Sequence, residues 1–484
     1  HNTGQQINGG RTGTADADVD GPEAWQVAQG AGIVVAVIDE GVDTGNPDFQ
    51  ASRLVAGYDF GDDDNNPSPG GNGAHGTACA GIVGATQGNN LGVTGIAPGC
   101  TIMPIKIWRD DGTSATVADI ADAIDFAWRN GADVLSNSWG FSSSAHNLFP
   151  AIDEAIDSAA ARGRNGLGSL VFFAAGNTAD HGNASNGYVA YPGNYDSVVT
   201  VGASDRNDDQ ANYSPTDDEI DVVAPSHRAY RCQDAAEDLE VWTTDITGNP
   251  GYNPWHETDA CLPPNGTELP VGDRDFTGLM GGTSAACPLT AGIGALLLSV
   301  NPSLTRLEAE DIIKGSADKI RRTTGNYDAT GFSRRFGHGR ANAHRAIVPS
   351  VSITVKPEKV GKGDPFEITV TASAPFGLQS LWWFGENTGI PDVDMAHMQS
   401  VSGAGKVYTY TWTTSINSKG TYRLGANARD VLYPNPGDGF PHQASEGSGI
   451  AYATIKVPTF AEWAAILTAV LFVFTFVVQQ PRRR

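Results

Sequence analysis

Asp39, His75 and Ser284 are the residues of this chain on which chemistry can be built. A serine hydroxyl is a weak nucleophile at neutral pH and needs a base beside it. An imidazole can take that proton and later return it to a leaving group. A carboxylate can fix the imidazole tautomer and stabilise its charged form. Together such a trio performs acyl transfer at a carbonyl. Each member stands at the end of an apolar stretch. Asp39 closes "GIVVAVID", His75 sits in "NGAHGTACAGIVGA", and Ser284 opens onto "AACPLTAGIGALLLSV". Read singly, the three are a turn carboxylate, a structural histidine and a helix-capping serine. Read together, in the order Asp, His, Ser and each at the mouth of a core element, they form one constellation.

The elements that must position them follow from periodicity. "GIVVAVID" (residues 32–39) is a continuous apolar run, as in a parallel strand buried on both faces. "TVADIADAIDFAWRNG" has helical spacing at Val117, Ile120, Ala121, Ile124 and Trp128, with Gly131 as its stop. "ADVLSNSWG", "GSLVFFAAGN", "SVVTVGASD" and "EIDVVAPS" read as further strands, with "AIDEAIDSAAARG" a helix between the first two. Ala285 to Leu298 is apolar on nearly every face, which predicts a buried helix. It is expected to begin near Thr283 or Ser284, with Pro288 in its first turn. The free N–H groups and positive dipole end of that helix then surround the serine. Strands alternating with helices predict a doubly wound, mostly parallel α/β sheet over residues 1–347, with sites at the carboxyl ends of its strands.

From about Ser350 the pattern changes to short alternating segments such as "VSITVKPEK", "PFEITVTAS" and "KVYTYTWTT". Residues 350–457 therefore read as an all-β, Ig-like sandwich. Residues 458–484 end in an uncharged run from Trp463 to Val478 and three arginines, Arg482, Arg483 and Arg484. The run is a little short of the roughly 20 residues of a comfortable membrane span. The opening "HNTGQQINGG" carries no basic and apolar run, so it reads as a processed or truncated start.

The 484 residues allow two or three domains. With 55 acidic against 31 basic residues the formal charge is -24, which argues against nucleic acid as a partner and fits a secreted or salt-tolerant surface. The five cysteines show no CxxC spacing, so zinc is not expected. Cys79, Cys100 and Cys287 read as buried thiols. Cys232 and Cys261 bracket a loop-rich insert and either pair or stay reduced.

"VAVIDEGVD", "HGTACAGIVGA" and "GGTSAACP" resemble the three active-site motifs of the subtilase (subtilisin-like serine peptidase) family, which has this same chain order. The resemblance covers residues 1 to 347. "YDFGDDDNNPSPGGNGAHGTACAG", with a Cys after the His motif, and "RGRNGLGSLVFFAAGN" lean toward the kexin/furin branch. The C-terminal tail resembles the sorting signals of exported prokaryotic proteins. The resemblance implies a secreted or surface-associated endopeptidase acting on polypeptides as a monomer, held at a membrane or by sorting machinery through its tail. It implies Asp39, His75 and Ser284 as the triad and Asn177 as the oxyanion donor. Ser138, Trp139 and Gly140 would form the edge to which substrate adds as a strand, with Trp139 either walling a subsite or packing in the core. Ala174, Ala175, Gly176 and Ala190 would line the first specificity pocket. Kexin and furin cleave after paired basic residues and line their pockets with carboxylates. Here Asn186 stands where that branch has an aspartate, and Glu40 is the acid left beside the triad, so cleavage after apolar or aromatic residues is expected.

The resemblance also implies a structural Ca²⁺ site. Asp48 and Asn89 would give side-chain oxygens, and Thr86, Leu91 and Val93 carbonyls, a donor set suited to that ion. No organic cofactor is expected. Two rival readings use the same residues differently: a catalytically silent scaffold that binds surfaces through the β-sandwich, or a sandwich that directs the enzyme to carbohydrate or to a cell.

Overall fold

The apolar runs form strands, and the strands lie parallel. The computed structural model describes residues 11–348 apart from 72, 180–186, 228–240, 249, 253–273 and 329–330, a short strand at 6–7, and the backbone of strands between 350 and 457. Asn186, Cys232, Cys261 and the tail at 458–484, for which the sequence sets expectations, lie outside the described residues. The chain divides into two units, His1–Ile347 and Val348–Arg484.

In the first unit the elements run β1 (Gln6–Ile7), β2 (Arg11–Thr12), α1 (Gly21–Ala24), β3 (Val34–Asp39), β4 (Tyr58–Asp59), α2 (His75–Gly84), β5 (Thr101–Lys106), α3 (Val117–Arg129) and β6 (Val134–Asn137). They continue α4 (Pro150–Gly166), β7 (Leu170–Ala174), β8 (Val199–Ser204), β9 (Val222–Pro225), β10 (Val241–Thr244), β11 (Phe276–Met280), α5 (Thr283–Val300), α6 (Arg306–Ser316) and α7 (Ala343–Ile347). One seven-stranded sheet has the order β4-β5-β3-β6-β7-β8-β9, and each of its pairs is parallel. A parallel sheet needs cover on both faces. On one, Ala36, Ile38, Leu135 and Phe173 pack with Ile120 and Ile124 of α3 and Ile152 and Ile156 of α4. The other is covered by α5, which lies so close to β7 that a Cβ on Gly294 would stand 3.1 Å from Leu170 and Phe172. Helix α3 opens with a capping box between Thr116 and Asp119, worth about 1 kcal/mol, and is stopped by Gly131 at φ 92°.

The acidic loop after β4 neutralises a buried cation. Lys106, at the end of β5, is 1 % exposed. Its Nζ donates to Asp59 Oδ2 at 2.6 Å, Asp110 Oδ1 at 2.6 Å and Asp62 Oδ2 at 3.2 Å. A lysine in such a place requires partners.

Helix α5 starts where expected, but Pro288 lies one turn deeper in it than expected. Thr283 is the first helical residue and Gly282, at φ 75° and ψ 179°, is the N-cap. Pro288 therefore falls in the second turn, where its missing N–H leaves the carbonyl of Ser284 without its helical donor.

The second unit carries strands β12 (Ser350–Lys356), β13 (Pro365–Ser373), β14 (Leu378–Gly385), β15 (Val393–Asp394), β16 (Val407–Ser415), β17 (Gly420–Asp430) and β18 (Ser448–Val457). They pair antiparallel in two sheets, β12-β13-β16 and β15-β14-β17-β18.

Candidate active site

Asp39 is the last residue of β3, at the carboxyl edge of the sheet, and is 1 % exposed. His75 is the first residue of α2. The His75 Nδ1–H donates to Asp39 Oδ1 at 2.8 Å. Burial opposes charging of the imidazole, but the Asp39 carboxylate outweighs it and holds the His75 pKa well above the ordinary value. Glu40 braces the pair. Its backbone N–H donates to Asp39 Oδ1 at 2.7 Å, and its Oε2 accepts from the His75 backbone N–H at 3.3 Å. Burial, and then the Asp39 charge, push the Glu40 pKa up.

Ser284 is the second residue of α5 and does not cap it. Its Oγ–H points to the Ser138 carbonyl at 3.4 Å. The carbonyl freed by Pro288 is taken by Ser138 Oγ–H at 2.9 Å and by the Cys79 thiol at 3.7 Å. The same Cys79 Sγ lies 3.8 Å from His75 Nδ1. One buried thiol thus touches both the histidine and the serine residue. Cys79, Cys100 and Cys287 are free and buried, as expected, and burial raises all three thiol pKa values.

Asn177 follows Gly176, whose φ of 90° turns the chain at the end of β7. Its Oδ1 accepts from Thr283 N at 2.9 Å and Thr283 Oγ1 at 3.1 Å. With the oxygen held, the Nδ2 end is the one left to donate.

The expected pocket residues divide. A Cβ on Gly176 would stand 2.8 Å from Ala190 Cβ, so these two segments adjoin. The Ala190 N–H donates to Ala175 O at 2.9 Å. Ala174 and Ala190 are nearly covered, and Gly140 is exposed. The Ala175 side chain, however, packs with Val189, Ile220, Val223 and Phe336 in a core cluster. Trp139 also belongs to the core. Its ring lies edge-on to Phe173 at 5.0 Å, with 8 % of the residue exposed.

The expected cation ligands meet in part. Asp48 is fully buried, and its Oδ1 accepts from Asn89 Nδ2 at 2.6 Å. Its Oδ2 accepts from the Val93 N–H at 3.1 Å, and its backbone carbonyl from Thr86 N and Oγ1 at 3.0 and 2.6 Å. Burial raises the Asp48 pKa. A buried carboxylate opposed by desolvation, facing an amide that can turn its oxygen inward, fits an oxygen-ligated cation. Val93 presents its N–H, and no carbonyl, to Asp48.

Sequence reasoning passed over Ser226 and His227. Nothing in "APSHRAY" marks them, because the glycine they both bind, Gly282, lies 55 and more residues away.

Comparisons with known proteins identify the family of the chain. The pattern of the subtilase family matches residues 30–339. The "Calcium-dependent protease" of Trichormus variabilis is 37% identical over 374 residues, 74% of this chain and 51% of that protein. The chain thus spans about half the length of that relative. Thermitase of Thermoactinomyces vulgaris is 31% identical over 329 residues, 68% of this chain and 93% of thermitase. Among solved structures, the serine protease of Aeromonas sobria superposes with a TM-score of 0.61 at 19% identity over 88% of each chain, a likeness of fold. A match over nearly two thirds of the chain, and a relative covered almost end to end, make this chain a member of the subtilase family.

Proposed function

We propose that the chain is a serine endopeptidase, secreted or held at a surface, that cuts polypeptides through an acyl-enzyme. The observation that carries the reading is the Asp39–His75 bond of 2.8 Å, beside a serine that caps nothing. In this reading Ser284 Oγ attacks the carbonyl carbon as His75 takes its proton. The C–N bond breaks as the imidazolium protonates the leaving amine, and water repeats the sequence on the ester. Asp39 holds the tautomer throughout. A fluorophosphonate probe tests it: covalent labelling at Ser284 is expected, and a folded protein that takes up no label would overturn it.

The negative oxygen of the tetrahedral intermediate needs donors fixed in advance. Asn177 Nδ2 and the Ser284 N–H fill that role, with Thr283 anchoring the amide. Asn177→Ala is expected to lower kcat by ~10²–10³, the range known for this donor in subtilisin of the same family, with KM little changed. Steady-state kinetics checks it; an effect confined to KM would count against the role.

Substrate adds as a strand along Ser138–Gly140, and selectivity comes from the small walls at Ala174, Gly176 and Ala190. No carboxylate among the described residues of these segments can repay the desolvation of an arginine or lysine. Apolar or aromatic residues are expected to be favoured over basic ones about tenfold or more in kcat/KM at the first subsite. A peptide library decides it, and strong selection for Arg or Lys would refute it.

Asp48 and Asn89 would hold a calcium ion, which would bring fixed positive charge to a buried carboxylate. Thr86, Leu91 and Val93 enter that ligand set by resemblance. Chelation is expected to lower Tm by about 5 °C, corresponding to about 2.7 kcal/mol at 100-fold excess of ion over Kd, and added Ca²⁺ to restore it. Asp48→Asn should abolish the response. A melting curve indifferent to chelator would remove the site. The Ig-like class of the second unit, and attachment through the tail at 458–484, belong to the same reading and rest on the sequence.

A further inference from the structure

His227 lies in none of the motifs, yet it touches the turn that presents Ser284. It is 4 % exposed, directly after β9 and Ser226. Its Nδ1 accepts from the Gly282 backbone N–H at 3.1 Å. Ser226 Oγ–H donates to the carbonyl of the same Gly282 at 2.8 Å. Both polar groups of one glycine are thus gripped by consecutive side chains. The ring leaves no room above Gly281, where a Cβ would fall 1.9 Å from Nδ1. On the other side, a Cβ on Gly282 would stand 2.9 Å from Asn177 Nδ2, and Thr283 holds Asn177 Oδ1.

A count of protons fixes the tautomer. Tyr213 Oη and Ser226 Oγ each lie 3.4 Å from His227 Nδ1, but each hydroxyl has one hydrogen and a closer acceptor. Ser226 gives its hydrogen to Gly282 O. Tyr213 gives its own to His227 O at 2.8 Å. Among the described residues the remaining donor toward Nδ1 is Gly282 N–H, which makes Nδ1 the unprotonated nitrogen and the ring neutral.

We propose that neutral His227, with Ser226, is a positioning residue: it clamps the Gly282 peptide and thereby sets Ser284 and the Asn177 amide in register. A proton on Nδ1 would turn the acceptor into a second donor facing Gly282 N–H, and the clamp would open. Burial depresses the ring to about pH 4. Among the described residues the titratable group packed against it is the Tyr213 phenol, at 5.0 Å between ring centroids. The sign follows: the folded pKa lies below the ordinary 6.5, so the clamp is fully formed above that value and is lost as pH falls toward 4.

The kinetic arm rests on the peptidase reading. His227→Leu removes the acceptor and should lower kcat by about 10–10²-fold with KM little changed. His227→Asn places an amide oxygen where Nδ1 stood, so it should recover kcat on the high-pH plateau to within a few-fold. A folded His227→Leu protein with undiminished kcat overturns the proposal, as does equal impairment of both variants. A second arm does not depend on activity. In Ser284→Ala protein, NMR should show the His227 ring titrating near pH 4 and the Gly282 amide resonance following it. A ring titrating near 6.5, or an amide indifferent to the ring, overturns the clamp whether or not the chain cuts peptides.

Discussion

Ser284→Ala is expected to lower kcat about 10⁶-fold and leave the fold intact, the scale known for the same change in subtilisin, a member of this family. The structural cost is small for a specific reason. Gly282, and not Ser284, is the N-cap of α5, and among the described residues the serine hydroxyl makes a single long contact of 3.4 Å with Ser138 O. The carbonyl of Ser284, which does hold the local structure together, is untouched by the substitution and keeps its bond from Ser138 Oγ. Tm should therefore move by no more than a surface change would move it, about 0.5 kcal/mol in stability. The chemical cost is the whole covalent pathway. His75→Ala should cost nearly the same, and the double variant no more than either single, because the hydroxyl and its base act as one unit. Progress curves on a peptide substrate, run beside a thermal melt, read both quantities. Turnover within tenfold of the parent in a folded Ser284→Ala preparation would place the nucleophile elsewhere.

The residues of this site differ in how legible they were. Asp39, His75 and Ser284 were readable because each ends an apolar run, and burial patterns are what a sequence displays most directly. The helix at 117–129 was readable to within a residue, because Thr116, Asp119 and Gly131 are local signals. Pro288 was placed a turn too early, since proline reports a missing donor but not which carbonyl is spared. Ala175, expected at the pocket, packs in the core, as does Trp139, open between subsite and core; both follow the ends of β6 and β7, where no sequence period sets side-chain direction. His227 could not be found at all. Its meaning lies in a bond to a glycine 55 positions later, and no period or composition records such a contact. The acidic loop was visible as a charge run, but its purpose is Lys106, a single cation on another strand.

Asp39→Asn is expected to lower kcat about 10⁴-fold and to move the rising limb of the pH profile to lower pH. Both effects come from the same bond. Asp39 Oδ1 accepts from His75 Nδ1 at 2.8 Å and from Glu40 N at 2.7 Å, while Oδ2 is buried and has no hydrogen-bond partner among the described residues. A buried carboxylate held this way gains most when the imidazole is positive, which is the state formed as Ser284 loses its proton. That gain is absent for an amide. An amide turned with its NH₂ toward His75 does further harm, because it selects the tautomer whose Nε2 carries hydrogen and cannot accept the serine proton. Catalysis needs neutral His75 at the outset, so activity rises with pH through the histidine pKa. In the parent that pKa is held well above the ordinary imidazole value by Asp39, against the effect of burial. Removing the charge takes away the largest opposition to burial, so the limb must shift toward acid even as the plateau collapses. The two readouts separate positioning from charge: a fallen plateau with an unmoved limb would mean that Asp39 only orients the ring. An active variant with an unmoved limb would exclude the Asp39–His75 pair from the reaction. Glu40→Gln serves as the control, since it keeps the backbone bond to Asp39 and an acceptor for His75 N and removes only a more distant charge. Its limb should move in the same direction by less, and its plateau should stay near the parent's.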